Sequence, residues 1–216
     1  MFKNFSECFT FGLSTRNEIQ VFSDIFSDDF LEKCHHIVNT TQKIPSRVGN
    51  DRQSKPNFKI RDALNVVDDN NAVYSDIKEQ IKQAMYDKLC DYVRSTNYIK
   101  FVTPENFAAD TCFNFIVYEP NSRGYKEHVD AFYQDTSMHK RLFSCVYYLN
   151  DDFIGGDLYF PRLNKKIKVQ KNSIVIFPSS PLFSHVGLKL GKGRKVICPA
   201  WFGYQIDKPI NFQPII

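Results

Sequence analysis

The chain has 216 residues, 43% hydrophobic and 15% aromatic, with a formal net charge of +4. That composition excludes a disordered polar chain, and the length suits one sizeable core. The mild positive charge neither demands nor rules out nucleic acid.

Residues 1–15 read as a loose leading segment, and Glu18 to Phe26 alternates as a strand would. Ser27 offers a helix N-cap, with Asp28 and Asp29 suited to a first turn and Phe30, Leu31, Cys34 and Val38 at helical spacing behind them. Residues 40–60 are polar and aperiodic, carry Lys43, Arg47, Arg52 and Lys55, and hold Pro45, Gly49 and Pro56. This stretch predicts a long loop that closes as a flap over a bound substrate. Ser75 opens the strongest helix, whose Ile77, Ile81, Met85, Leu89 and Val93 share one packing face.

From Thr111 the pattern changes to short strands. They are expected at Phe113 to Tyr118, Leu142 to Leu149, Leu158 to Phe160, Ile167 to Val169, Ser173 to Phe177 and Lys195 to Tyr204. Asn-Ser-Arg-Gly, Gly-Gly, Lys-Asn and Gly-Lys-Gly supply the turns between them. Strands after two helices predict an α+β, mainly β protein: an antiparallel sandwich or jelly roll braced by helices on one side. The segment with Pro209 and Pro214 reads as an extended tail.

Cys8, Cys34, Cys90, Cys112, Cys145 and Cys198 form no C-x-x-C pair and no zinc-type spacing. No signal peptide is evident and no apolar run approaches a membrane span, so the expectation is a reduced, cytoplasmic protein without a membrane partner.

Chemistry concentrates in four residues. His128 and Asp130 are two apart, which on a strand places imidazole and carboxylate on one side. His185 follows a later apolar run. Two His and one carboxylate on one face leave other coordination positions open, as in non-haem Fe(II) oxygenases. Arg194 stands nine residues beyond His185, in an otherwise apolar strand. A buried guanidinium needs an anion, either a ligand carboxylate or an internal Asp or Glu. His35, His36 and His139 earn no role. Tyr147 and Tyr148 are adjacent and must face opposite ways, and Trp201 is equally suited to lining a pocket or filling the core.

The stretch from about Phe113 to Phe202 resembles the prolyl 4-hydroxylase-like branch of the Fe(II)/2-oxoglutarate-dependent dioxygenases. The resemblance rests on Tyr118, Gly124-Tyr125-Lys126-Glu127-His128-Val129-Asp130, Cys145 to Asn150, Gly155-Gly156-Asp157-Leu158, Lys171-Asn172-Ser173, Phe177-Pro178, and His185 through Arg194 to Trp201. It implies a single domain over 1–216, with helical support at about 16–95 and a catalytic double-stranded β-helix at about 111–204. Iron would be bound by His128, Asp130 and His185. The keto-acid end of 2-oxoglutarate would chelate the iron, and Arg194 would hold its distal carboxylate, assisted by Tyr148 or Tyr118. O2 is the implied oxidant, with ascorbate as a further candidate cofactor. Asp130 departs from halogenating relatives, which lack the carboxylate ligand. Ala200 stands where nucleic-acid demethylating relatives carry a second Arg, which counts against a nucleic-acid partner. The expected activity is hydroxylation of prolyl residues in a peptide or protein. A free amino acid or other small molecule is the alternative substrate, and a silent binding module the alternative class.

Overall fold

The computed structural model describes residues 18–46, 60–68, 70–96, 103, 107–109, 113–131 and 141–204. Helix α1 (Asp28–Thr40) starts where the Ser27 hydroxyl accepts the Phe30 N–H at 3.4 Å, with Asp28 and Asp29 at the positive end of the helix dipole. Helix α2 (Ala72–Ser95) begins ahead of the expected Ser75, because Asn71 caps it by accepting the Tyr74 N–H at 3.1 Å. The whole stripe from Ile77 to Val93 is buried.

Fourteen strands are described. They are β1 (Gln20–Phe22), β2 (Lys43–Pro45), β3 (Leu64–Val66), β4 (Phe107–Ala109), β5 (Ile116–Tyr118), β6 (Tyr125–His128), β7 (Phe143–Tyr148), β8 (Ile154–Gly155), β9 (Leu158–Phe160), β10 (Lys165–Ile167), β11 (Ser173–Pro178), β12 (His185–Gly187), β13 (Leu190–Lys192) and β14 (Lys195–Tyr204). The major sheet runs β1-β11-β7-β14-β5-β3-β2, with β4 also on β14, and the minor sheet runs β10-β9-β12-β6. All pairings are antiparallel. This is the jelly roll expected of the pattern.

Two apolar layers follow from strand alternation. One face of the major sheet (Phe143, Cys145, Tyr147, Val196, Cys198, Ala200, Phe202) packs on α1 and α2. Its other face (Ile116, Tyr118, Val146, Tyr148, Val175, Phe177, Ile197) meets Leu158, Phe160 and Ile167 of the minor sheet and forms the barrel interior. The interior is where the candidate site lies.

Some elements differ from expectation. β1 is shorter than Glu18 to Phe26, since Asp24 adopts a left-handed φ of 57° that strand pairing does not accommodate. β10 falls two residues early because Asn164, at φ 45°, turns the chain straight back onto β9. Lys43–Pro45, expected in the flap, is a strand on β3, and Ser46 behind it is buried with its N–H on the Ala63 carbonyl at 2.9 Å. Residues 47–59 of the expected flap, the leading segment 1–15 and the tail at 209–214 lie outside the described residues. Among the described residues, no helix is long and apolar enough to cross a membrane.

Candidate metal centre and the pocket behind it

His128 closes β6, Asp130 follows two residues later, and His185 opens β12. The two strands are neighbours, and their register sets His185 directly across from His128, with ring centroids 4.2 Å apart. Gly124 makes this approach possible. Its φ is +77°, and a Cβ there would lie 2.1 Å from the Gly187 carbonyl oxygen on β12. Asp130 Oδ1 is 3.6 Å from His128 Nε2, and Oδ2 is 3.6 Å from His185 Nε2. The three side chains offer ligand atoms that all lie within 4.8 Å of one another.

Both histidines are held the same way. Nδ1 of His128 donates to the Lys126 carbonyl at 2.8 Å, and Nδ1 of His185 donates to the Phe183 carbonyl at 3.1 Å. A carbonyl only accepts, so each ring donates from Nδ1 and turns Nε2 toward Asp130. Burial, with His185 close by, lowers the His128 pKa to about 4 against the opposing pull of Asp130, which keeps that ring neutral near pH 7. Burial pushes the Asp130 carboxyl up, but His185, His128 and hydrogen bonds from Trp201 and Ser144 outweigh it and leave it below its ordinary value. Two imidazole Nε2 atoms and one carboxylate, with no fourth protein ligand grouped with them among the described residues, fit a divalent transition-metal ion with open positions.

The expected buried cation is not Arg194. Arg194 precedes β14 with the parity of Val196, Cys198 and Ala200, so its side chain turns toward the helix layer. There Nε donates to Glu119 at 3.1 Å and Nη1 donates to Asn39 of α1 at 3.1 Å. With its side chain 41% exposed, it is an ordinary surface ion pair.

The next residue points the other way. Lys195 is 4% exposed, faces the barrel interior, donates from Nζ to the Gly156 carbonyl at 2.7 Å, and holds Nζ 4.6 Å from the centre of the Tyr118 ring. Burial lowers its pKa to about 8, against a smaller opposing effect of Asp157. No ion pair to Lys195 is present among the described residues. Tyr148 lies on the same interior face, while Tyr147 turns to the helices and reaches Asn172. Burial raises the Tyr148 pKa, with Tyr118 and Asp157 adding to the effect, so the phenol stays protonated and able to donate.

Four further residues ring the metal end. Tyr125 stacks on His128 at 3.7 Å between centroids, and the Arg61 guanidinium lies 5.0 Å over Tyr125, its buried Nε without a hydrogen-bond partner among the described residues. Trp201 hydrogen-bonds Asp130 and carries the Arg141 guanidinium 3.8 Å over its ring. Trp201 thus lines the site. Its parity with Lys195 on β14 was the available signal.

A sequence model described as the 2OG-Fe(II) oxygenase superfamily matches residues 113–203. A candidate prolyl 4-hydroxylase of Acanthamoeba polyphaga mimivirus is 32% identical over 71 residues, 29% of this chain and 29% of that protein. The matched stretch therefore spans less than a third of that relative's length. Three solved structures share the fold. A viral collagen prolyl hydroxylase from Paramecium bursaria Chlorella virus-1, in a 2OG complex, has TM-score 0.60 and 17% identity over 89% of this chain and 99% of that one. A Trichoplax adhaerens prolyl hydroxylase in complex with a hypoxia inducible factor peptide fragment has TM-score 0.65 and 14% identity, covering 88% of this chain and 86% of that one. A Pseudomonas putida prolyl-4-hydroxylase has TM-score 0.58 and 18% identity, covering 89% and 95%. Residues 113–203 therefore match the model of the 2OG-Fe(II) oxygenase superfamily, and the fold is the one found in these prolyl hydroxylase structures.

Proposed function

We propose that the chain hydroxylates prolyl residues of a peptide or protein, converting 2-oxoglutarate and O2 to succinate and CO2 as one oxygen atom enters a substrate C–H bond. The carrying observation is Lys195, a buried ammonium with no ion pair among the described residues, on the interior face that also leads to the His-Asp-His group. A buried cation calls for an anion, and a dicarboxylate reaching from the metal to Lys195 satisfies both ends. His128, Asp130 and His185 would hold Fe(II), which supplies O2 activation when bound. Lys195 would hold the distal carboxylate in place of Arg194, beside the Tyr118 ring and with the Tyr148 hydroxyl as a neighbouring donor. A peptide substrate is supported by the kinship with prolyl hydroxylases, one of which was solved with a peptide fragment.

The test is succinate release by the Fe(II)-loaded protein with proline-rich peptides and with free proline, alongside mass analysis of the peptide. Succinate formation coupled to gain of one oxygen on a prolyl residue is the expected result. Coupled turnover with free proline alone moves the activity to small molecules. Absence of coupled oxidation with every candidate overturns the proposal.

A further inference from the structure

Asp130 is held by a chain of two buried serines. Ser144 donates to Asp130 Oδ2 at 2.8 Å, and the Ser144 and Ser179 hydroxyl oxygens are 2.8 Å apart. Neither serine exposes more than 2% of its surface. An ionised carboxylate only accepts, so the single Ser144 hydroxyl proton is committed to Asp130. Ser144 can then serve Ser179 only as acceptor, and the direction is fixed: Ser179 donates to Ser144, which donates to Asp130. Aligned hydroxyls polarise one another, which strengthens the terminal bond.

The backbone reinforces the same arrangement. The Ala131 N–H, one residue past Asp130, donates to the Ser179 carbonyl at 3.1 Å, and the Ser179 N–H donates to the Leu142 carbonyl at 2.9 Å. Trp201, the register partner of Ser144 across β7 and β14, is a second donor to the carboxylate. β7, β14 and the residue just past the end of β11 thus converge on a group that itself belongs to the segment after β6 of the minor sheet. Two buried serines needing only mutual satisfaction could bond each other, leaving the carboxylate to find other partners. Here the one available proton is spent on Asp130.

We propose that Ser144 and Ser179 are positioning residues that fix the Asp130 carboxylate for metal binding before any ion arrives. Ser144 engages Oδ2 and so favours ligation through one oxygen, which keeps coordination positions open for co-substrate. The idea rests on the metal reading, and the experiment separates the two.

Co(II) is used as the probe, with affinity read by titration and ligand geometry by its visible absorption. Wild-type binding at one site, abolished in Asp130→Ala, establishes the metal site. A wild type that binds no Co(II) removes both the metal reading and this proposal. The decisive pair is Ser144→Thr against Ser144→Val, which share a shape and differ in the hydroxyl. Ser144→Val is expected to weaken Co(II) about tenfold or more and alter its spectrum, as loss of groups that orient metal ligands does. Ser144→Thr should restore both, and Ser179→Ala should give a smaller loss. Equal Co(II) affinity and spectrum for the Thr and Val variants overturn the proposal. Should Ser144→Val fail to fold, Ser179→Ala decides: wild-type affinity and spectrum there overturn it, and a weakened, altered site supports it.

Discussion

Lys195 stands directly opposite Tyr118 in the ladder between β14 and β5, with its ammonium 4.6 Å from the ring centre. Four residues farther along β7 from the Tyr148 rung, at roughly 13 Å by strand rise, Ser144 pairs with Trp201 beside Asp130. The interior therefore has a cationic, tyrosine-lined end and a metal-ligand end on the same sheet face.

The first prediction separates neighbours in sequence. Lys195→Met should raise the 2-oxoglutarate concentration needed for half-saturation by about tenfold to a hundredfold, since it leaves a carboxylate facing an apolar pocket. Co(II) affinity should hardly change. Arg194→Met removes an exposed pair with Glu119 and should cost at most about 1 kcal/mol of stability, with little effect on co-substrate binding. The reverse pattern, with Arg194→Met losing 2-oxoglutarate and Lys195→Met keeping it, would restore Arg194 to the pocket.

The second concerns pH. Burial lowers the Lys195 pKa from 10.5 to about 8 in the ligand-free protein. Between these values the folded protein holds fewer protons than the unfolded chain, so this group alone makes stability rise with pH across that window. Its charged form is a constant cost below about 8. Ligand binding has the opposite sign, because a carboxylate favours the ammonium. The 2-oxoglutarate dissociation constant should be flat below about pH 7 and rise above pH 8, approaching tenfold per unit. Calorimetric binding without O2 checks it, with Lys195→Arg as the control that stays flat. A flat wild-type profile to pH 9.5 would count against Lys195 as the carboxylate partner.

Helices and long strands were legible because their signals are local. Ser27 with Asp28 and Asp29 marks a helix start, and Ile77 to Val93 marks a packing face, whatever lies elsewhere. β7 and β14 stand out as long apolar runs. What failed depends on partners. Whether Arg194 or Lys195 enters the interior is a matter of parity, and parity is set by pairing of β14 with β7 and β5. β6 is Tyr-Lys-Glu-His, without apolar alternation, because it is the outer strand of the minor sheet and half exposed. The H-x-D spacing nevertheless located two of the candidate ligands, although Asp130 lies two residues past the end of β6 and the bend there, not strand alternation, brings it beside His128. Ser144 had a weak signal as a polar residue inside an apolar run. Ser179 had none, because it acts from beyond the end of β11.

The third prediction addresses the seam between β6 and β12. Gly124→Ala puts a methyl 2.1 Å from the Gly187 carbonyl at a φ of +77° that alanine resists. β6 must shift, and it carries His128. Ser184 also ties to Glu127 at 2.7 Å across these strands, so both histidines share the displaced ladder. The variant should lose about 2 kcal/mol or more of stability and bind Co(II) more weakly. A variant with wild-type melting temperature and wild-type Co(II) affinity would show that the seam tolerates the extra carbon.

The fourth uses metal as a ligand of the folded state. An ion that binds only the native protein stabilises it by about 2.7 kcal/mol at a concentration one hundred times its dissociation constant. Added Co(II) should raise the melting temperature, and chelator should return it to the apo value. His128→Ala should abolish the shift while leaving the apo protein folded, because His128 lies at the site edge with its side chain 20% exposed, and among the described residues its side-chain hydrogen bond goes to the Lys126 carbonyl of its own strand. Asp130→Ala should abolish it too but cost apo stability, since Ser144 and Trp201 then lose a buried acceptor. The two variants therefore differ in the apo state and agree in the metal response. A Co(II) shift that survives in both would place the bound ion elsewhere on the chain.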